Sequence, residues 1–212
     1  MRAEVRRLDT TSGGKKGRIT MTFDDGPDPV WTPKVLEALD RVRARATFFV
    51  LGRRAIEHAG LIRRIVRGGH EVGLHCRAHI RHTEMTLQKL RADTALSLRD
   101  LHTIGVNPRL WRPPWGVMTG DTLQVARENG LKLVLWTLDT HDWRGDGAGE
   151  MMERISEGLR PGSVILMHDG LGPGAKRRGC GETVRLIAAL TERIRQVGCE
   201  PDLLPGKNEA TP

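Results

Sequence analysis

Asp24 and Asp25 stand side by side in Thr22-Phe-Asp-Asp-Gly-Pro-Asp28, at the end of a β-branched and aromatic run and just before a Gly-Pro turn. Two adjacent carboxylates can supply a general base and a metal ligand, and they resist joint ionisation unless a cation offsets one of them. Neighbours in an extended segment point to opposite sides, so the chain must bend for both to serve one site. The structural alternative is an Asx turn that starts the next helix. His75 and His79 are four residues apart, and a helical turn there would aim both imidazoles to one side. With Asp25 they form the two-imidazole, one-carboxylate set of an open metal site, leaving positions for water and substrate. Arg112-Pro-Pro-Trp-Gly116 carries a guanidinium on a proline-stiffened backbone, suited to holding a carboxylate ionised and oriented. Asp139-Thr-His-Asp142-Trp143 puts acidic groups beside an apolar wall, and Leu166-Met-His168 places a histidine at the close of another apolar run. A histidine next to a carboxylate holds its proton toward neutrality or above, which suits a general acid.

Five polar clusters need five strand ends to present them. Short apolar runs read as strands at Ile19–Phe23, Ala46–Leu51, Glu71–Leu74, Leu110–Arg112, Leu131–Leu135 and Val164–Met167, with a weaker one at Pro201–Leu204. Helical periodicity falls between them, at 32–43, 53–67, 86–104, 119–129, 148–160 and 182–197. Leu87, Leu90, Thr94, Leu98 and Leu101 share one face of the third of these, and Gly130 ends the fourth as a C′ glycine would. Strand–helix alternation predicts an α/β fold with parallel strands and crossover helices. Six or seven strands suit either an incomplete barrel or a doubly wound sheet, and spacing alone leaves both open. Residues 1–17 read as a flexible leader and 206–212 as a flexible tail around one domain at 18–205.

Composition narrows the function classes. The chain of 212 residues carries a formal net charge of +8, and 27 of its 34 basic residues are arginines spread along its whole length. Spread charge reads as a solvated surface. Tyrosine is absent and there are three phenylalanines, so the stacking platforms of single-strand binders are poorly supplied, and no nucleic-acid partner is expected. No apolar run reaches the ~18–20 residues that span a bilayer. The basic start has no apolar segment behind it, which predicts a cytoplasmic protein, or a secreted one if a leader has been removed. Cys76, Cys180 and Cys199 make no even framework, so no disulfide scaffold is expected. The loop Gly170–Gly181 is glycine-rich but lacks the Gly-Lys-Ser/Thr ending of a phosphate loop. It reads as a mobile rim beside His168, with Lys176, Arg177 and Arg178 in solvent. No helix argues for an oligomer, so a monomer is the default.

TFDDGPD, His75-CRA-His79, RPPWG, DTHDW and LMH, in this order, resemble the five motifs of the polysaccharide deacetylase family, carbohydrate esterase family 4. The resemblance runs from about Arg18 to Pro205 and is nearest in layout to the nodulation-type chitooligosaccharide deacetylases. It implies a distorted, TIM-barrel-like (β/α) barrel with about seven parallel strands. It implies one divalent metal, zinc first and cobalt or another ion as alternatives, on Asp25, His75 and His79. Asp24 would be the general base, Arg112 its orienting partner, His168 the general acid and Asp142 the carboxylate that tunes it. Trp143 and Leu166 would wall the acetyl pocket, with Trp115 beside the substrate.

The activity so implied is removal of N-acetyl groups from N-acetylhexosamine units of a glycan or related glycoside, with release of acetate. The alternatives are an O-acetyl esterase on acetylated glycans, a deacetylase of an amino-sugar metabolite, and a metal-dependent glycan-binding protein without turnover. Three positions depart from the family pattern. Cys76 stands where Ser or Thr is usual, Ile80 replaces a common proline, and His82 is extra, expected to face solvent.

Overall fold

The computed structural model describes residues 17–204. The expected leader lies outside the described residues except for Gly17, which opens the first strand, and the expected tail lies outside them altogether. In chain order the elements begin with β1 (Gly17–Asp24), α1 (Trp31–Arg41), β2 (Ala46–Leu51), α2 (Gly52–Glu57) and α3 (Ala59–Arg67). Next come β3 (Glu71–Cys76), α4 (Leu87–Thr103), β4 (Leu110–Trp111), α5 (Gly120–Glu128) and two short strands, β5 (Lys132–Leu133) and β6 (Leu138–Asp139). Then α6 (Ala148–Ser156), β7 (Val164–His168), α7 (Gly181–Gln196) and β8 (Cys199–Pro201) complete the fold.

The strands are all parallel, ordered β5-β4-β3-β2-β1-β7-β6, with β8 pairing beside the first residues of β1. The two edges of this order, β5 and β6, are consecutive in the chain. Only Val134–Thr137 separates them, so the edges lie within roughly 18 Å of each other and the sheet must curl. The expected barrel of about seven strands is the fold found.

Alternation along the strands explains what each surface carries. Ile19, Met21, Phe23, Phe48, Val50, Leu74, Ile165 and Met167 join one large core with the buried faces of the helices. That core includes Val35 and Leu39 of α1, Leu90 and Leu101 of α4, and Leu186, Ile187 and Leu190 of α7. The residues in between point into the barrel. They are largely polar: Thr20, Thr22, Asp24, Thr47, His75 and Arg112 are all buried. Phe49, Leu110 and Val134 form the small apolar plug beneath them. Gly73 makes room for that plug, since a Cβ there would lie 2.6 Å from the Phe49 ring.

Apart from shifted ends, such as α6 stopping at Ser156 where 160 was expected, three elements differ from expectation. The helix expected at 53–67 is two helices hinged at His58 (φ −124°, ψ 43°), whose amide closes α2 on Arg54 and whose carbonyl starts α3. The strand expected at Leu131–Leu135 shortens to β5, with Val134 still bonded to Trp111 of β4, and a further strand that was not expected, β6, follows once Thr137 bonds to Val164 of β7. The last strand is Cys199–Pro201 rather than Pro201–Leu204. Gly130 follows α5 with φ 63°, as its C′ role required. All three cysteines are free and buried. Among the described residues no helix is long and apolar enough to cross a membrane.

Candidate active site

The carboxyl ends of the strands open into a cleft of about 410 Å³ that is lined by Asp24, Asp25, His75, His79, Trp143, Leu166 and His168 among others. Its floor is set by the β1–β7 ladder, in which Asp24 and His168 are direct partners. Asp25 follows with φ 72°, a left-handed turn that breaks the strand alternation and brings the second carboxylate round to the cleft. The Asx turn weighed for this motif exists, but on Asp28, whose Oδ1 accepts from the amides of Val30 and Trp31.

Asp25, His75 and His79 offer ligand atoms within 4.8 Å of one another, all three residues buried. Asp25 Oδ1 is 3.1 Å from His79 Nε2 and 3.4 Å from His75 Nε2. It has no hydrogen-bond partner of its own. His75 Nδ1 lies 2.6 Å from the Arg112 carbonyl, which can only accept, so Nδ1 carries the proton and Nε2 keeps its lone pair for the cleft. An orphaned buried oxygen facing two imidazole nitrogens, one of them tautomerically fixed, fits a divalent metal. The helical turn that would have aligned the two histidines is absent. His75 is the next-to-last residue of β3, and His79 returns to it through a loop with its own left-handed backbone (φ 49°).

Cys76 lies outside the ligand set and supports that loop: its Sγ accepts the His79 amide at 2.8 Å. Burial pushes its thiol well up from the ordinary value. His82 is a correction. It is buried, paired through Nδ1 with Thr122 Oγ1 at 2.9 Å and packed on Trp111. Burial lowers it to about 4, helped by His75. A histidine in an Arg-His-Thr-Glu context carries no local sign of burial; only α5 packing over it decides that.

Arg112 is fully buried. Its Nη1 donates to Asp24 Oδ1 at 2.8 Å and to Thr22 Oγ1 at 2.7 Å. Its Nε and Nη2 donate to the carbonyls of Val134 and Leu135, each at 3.3 Å, where the chain passes from β5 to β6. The guanidinium thus orients a carboxylate and satisfies the open seam of the barrel.

Asp142 and His168 form the opposite pair, Oδ1 to Nδ1 at 2.7 Å. Burial opposes the charge of His168, yet Asp142 outweighs it and pushes the imidazole up to about 9. Burial likewise opposes ionisation of Asp142, but His168 and Arg177 bring it down to about 2. Since His168 spends Nδ1 on Asp142, Nε2 is the atom left for the cleft. Trp143 and Leu166 line the cleft as expected. Trp115 stands at the rim with φ 53°, edge-on to His79 at 4.1 Å and covered by the Arg81 guanidinium.

Sequence reasoning missed three residues here. Trp136 enters the cleft from the link between β5 and β6, beside Asp139 of the motif already noted. Arg54 clamps the Asp25 carbonyl at 2.7 Å and the Leu171 carbonyl at 3.1 Å. Arg177, expected in solvent, is buried against Asp142. The rim loop itself lines the cleft, as read, through Gly170, Gly172, Pro173 and Gly174.

Fold and site define an α/β barrel with a candidate metal centre flanked by a carboxylate–arginine pair and a carboxylate–histidine pair. The chain belongs to the polysaccharide deacetylase family, whose sequence model matches residues 11–134. It is 34% identical over 195 residues to a chitooligosaccharide deacetylase of Bradyrhizobium sp. (strain ANU 289), covering 88% of this chain and 89% of that one. It is 32% identical over 182 residues to a peptidoglycan-N-acetylglucosamine deacetylase of Bacillus cereus (strain ATCC 14579), covering 85% and 83%. Among solved structures it is similar to a family 4 carbohydrate esterase from Streptomyces lividans in complex with acetate, with TM-score 0.81, 27% identity and 89% and 93% coverage. A peptidoglycan N-acetylglucosamine deacetylase superposes with TM-score 0.82 at 30% identity, covering 89% and 86%.

Proposed function

We propose that the protein is a metal-dependent deacetylase that hydrolyses the acetamido group of N-acetylglucosamine units in an oligosaccharide or polysaccharide. The observation that carries this reading is one cleft lined by both Asp24 and His168, partnered across β1 and β7 and each held from behind by a buried charged group, Arg112 for one and Asp142 for the other. N-acetylglucosamine is the unit common to the two named relatives.

Asp25, His75 and His79 would hold the metal, with zinc the ion best matched to two imidazoles and a carboxylate. Bound there, a divalent ion supplies Lewis acidity toward the amide carbonyl and a more acidic water. Asp24, oriented by Arg112, accepts the proton of the attacking water. His168, protonated through its pairing with Asp142, delivers a proton from Nε2 to the amine nitrogen as the C–N bond breaks and acetate departs. Trp143 and Leu166 wall the space for the acetyl methyl, a selection against longer acyl groups worth about 1–3 kcal/mol per methylene.

The test is acetate release from chitooligosaccharides, peptidoglycan fragments, acetylated xylan and small N-acetylglucosaminides, with metal-stripped and zinc- or cobalt-loaded protein. Metal-dependent release from the N-acetylglucosamine substrates, lost about 10³-fold or more in Asp24→Asn, is the expected result. Release confined to acetylated xylan would transfer the reading to an O-acetyl esterase. Tight metal binding with no release from any substrate would leave a glycan-binding protein.

A further inference from the structure

Arg177 sits in a basic, glycine-rich loop whose neighbours Lys176 and Arg178 give no hint of a special role. Its side chain is nonetheless only 5% exposed. Nη1 donates to Asp142 Oδ2 at 2.7 Å and to Thr183 Oγ1 at 2.6 Å. Nη2 donates to the carbonyls of His168 at 3.0 Å and Gly170 at 3.2 Å. One guanidinium therefore joins the acid pair, the end of β7, the rim loop and the first turn of α7.

The two oxygens of Asp142 divide their work. Oδ1 takes the His168 imidazole, while Oδ2 takes the His168 amide at 2.9 Å, Thr183 Oγ1 at 2.7 Å and Arg177. Three donors on one oxygen fix the carboxylate plane and leave the other oxygen to the imidazole. The same loop reaches over the metal ligands: Gly172 lies so close to Asp25 that a Cβ would meet its carboxylate at 2.1 Å. Further along the loop, the Lys176 amide bonds to the Trp143 carbonyl at 2.8 Å.

We propose that Arg177 is a positioning residue of the proton-donating pair: it locks the Asp142 carboxylate toward His168, shares that carboxylate's charge, and ties its orientation to the seating of the rim loop. This rests on the deacetylase reading above. A charge-sharing arginine weakens the hold of Asp142 on the imidazolium, so His168 releases its proton to the leaving nitrogen more readily than it would beside Asp142 alone. The charged groups facing His168 are Asp142, Arg177 and, from β1, Asp24 and Asp25, with Asp169 adjoining it in the chain.

The test compares Arg177→Met, which keeps the length and removes the charge, with Arg177→Lys. Removing the cation should move the alkaline limb of kcat/KM upward by about one pH unit, a tenfold change in proton affinity. It should lower kcat about tenfold with a smaller change in KM, and Arg177→Lys should recover most of both. The His168 imidazole is also titrated by NMR in wild type and variants, without substrate, and the same upward shift is expected. Arg177→Gln, which keeps an amide donor, replaces the Met variant if melting shows that Met disrupts folding. An unmoved alkaline limb together with an unmoved His168 titration would overturn the proposal and leave Arg177 as a loop tether. Failure of the wild type to release acetate would sink the deacetylase reading alone, because the NMR titration still decides the role of Arg177.

Discussion

Two buried aspartate–arginine pairs serve one cleft, and they are built differently. Asp24 and Arg112 come from the ends of strands, and the guanidinium spends its remaining donors on Thr22 and the barrel seam at Val134 and Leu135. Asp142 and Arg177 come from a short turn and a glycine-rich loop, and their remaining bonds go to His168, Gly170 and Thr183. The first pair is part of the architecture; the second is a layer laid over it. Among the described residues no imidazole hydrogen-bonds to Asp24, which suits the proton acceptor proposed for it, whereas Asp142 shares its charge between a cation and the histidine proposed to give a proton away.

The contrast is broken most severely at Arg112. Arg112→Met should cost about 3–5 kcal/mol of stability by leaving a buried carboxylate unpaired, as read by urea unfolding, and should reduce turnover about 10³-fold or more. Arg177→Met should unfold at a urea concentration much nearer the wild type while moving the pH profile. Equal stability losses in the two variants would erase the distinction between frame and overlay.

The metal side offers a milder break. Cys76→Ala removes the acceptor that holds the His79 amide, and loss of such a support typically weakens metal affinity about 10-fold or more. Cys76→Ser restores an acceptor and should bind metal nearly as the wild type does, by calorimetric titration. Equal affinity in all three proteins would show that His79 holds its left-handed turn without help.

A buried carboxylate other than Asp24, Asp25 and Asp142 sharpens the comparison because, among the described residues, no arginine pairs with it. Asp169 accepts from Thr32 Oγ1 at 2.5 Å, its Oδ1 is unpartnered, and burial, with the charges of Asp25 and Asp24, pushes it up to about 7. A carboxyl whose folded value lies above its unfolded one stabilises the fold at low pH and loses that contribution as pH rises from about 4 through 7. Asp169→Asn removes this loss. Its melting temperature relative to wild type should therefore climb between pH 5 and pH 8 in metal-free protein. A constant difference would mean that Asp169 titrates alike in both states. This effect is the smallest of the set, and it separates carboxylates that possess a cation from one that does not.

Much of the site could be read in one dimension. Asp24, Asp25, His75, Arg112, Asp142 and His168 all sit at or just beyond strand ends, where parallel α/β folds gather polar groups, and their side chains have few other uses there. Strand interiors were equally legible, since β-branched and aromatic runs bounded by glycine and proline leave little choice. The shortening of the Leu131–Leu135 strand and the presence of β6 were not, because neither short strand is distinctive and the break between them depends on which neighbour each amide reaches. His82 and Arg177 went astray for a related reason: a polar side chain in a polar segment is buried only if a distant element, α5 for one and Asp142 for the other, covers and pairs it.

The amino-acid sequence by itself determined the chemical inventory, the parallel strand–helix order and the strand ends that carry the reactive groups, because these follow from residue type and local periodicity. Tertiary structure alone decided that His79 reaches Asp25 through a left-handed loop instead of a helix, that Arg112 closes the seam, and that Arg177 shares Asp142 with His168. Each of those outcomes is a contact between segments 22 or more residues apart, and such contacts are set by the curl of the sheet, which no local propensity encodes.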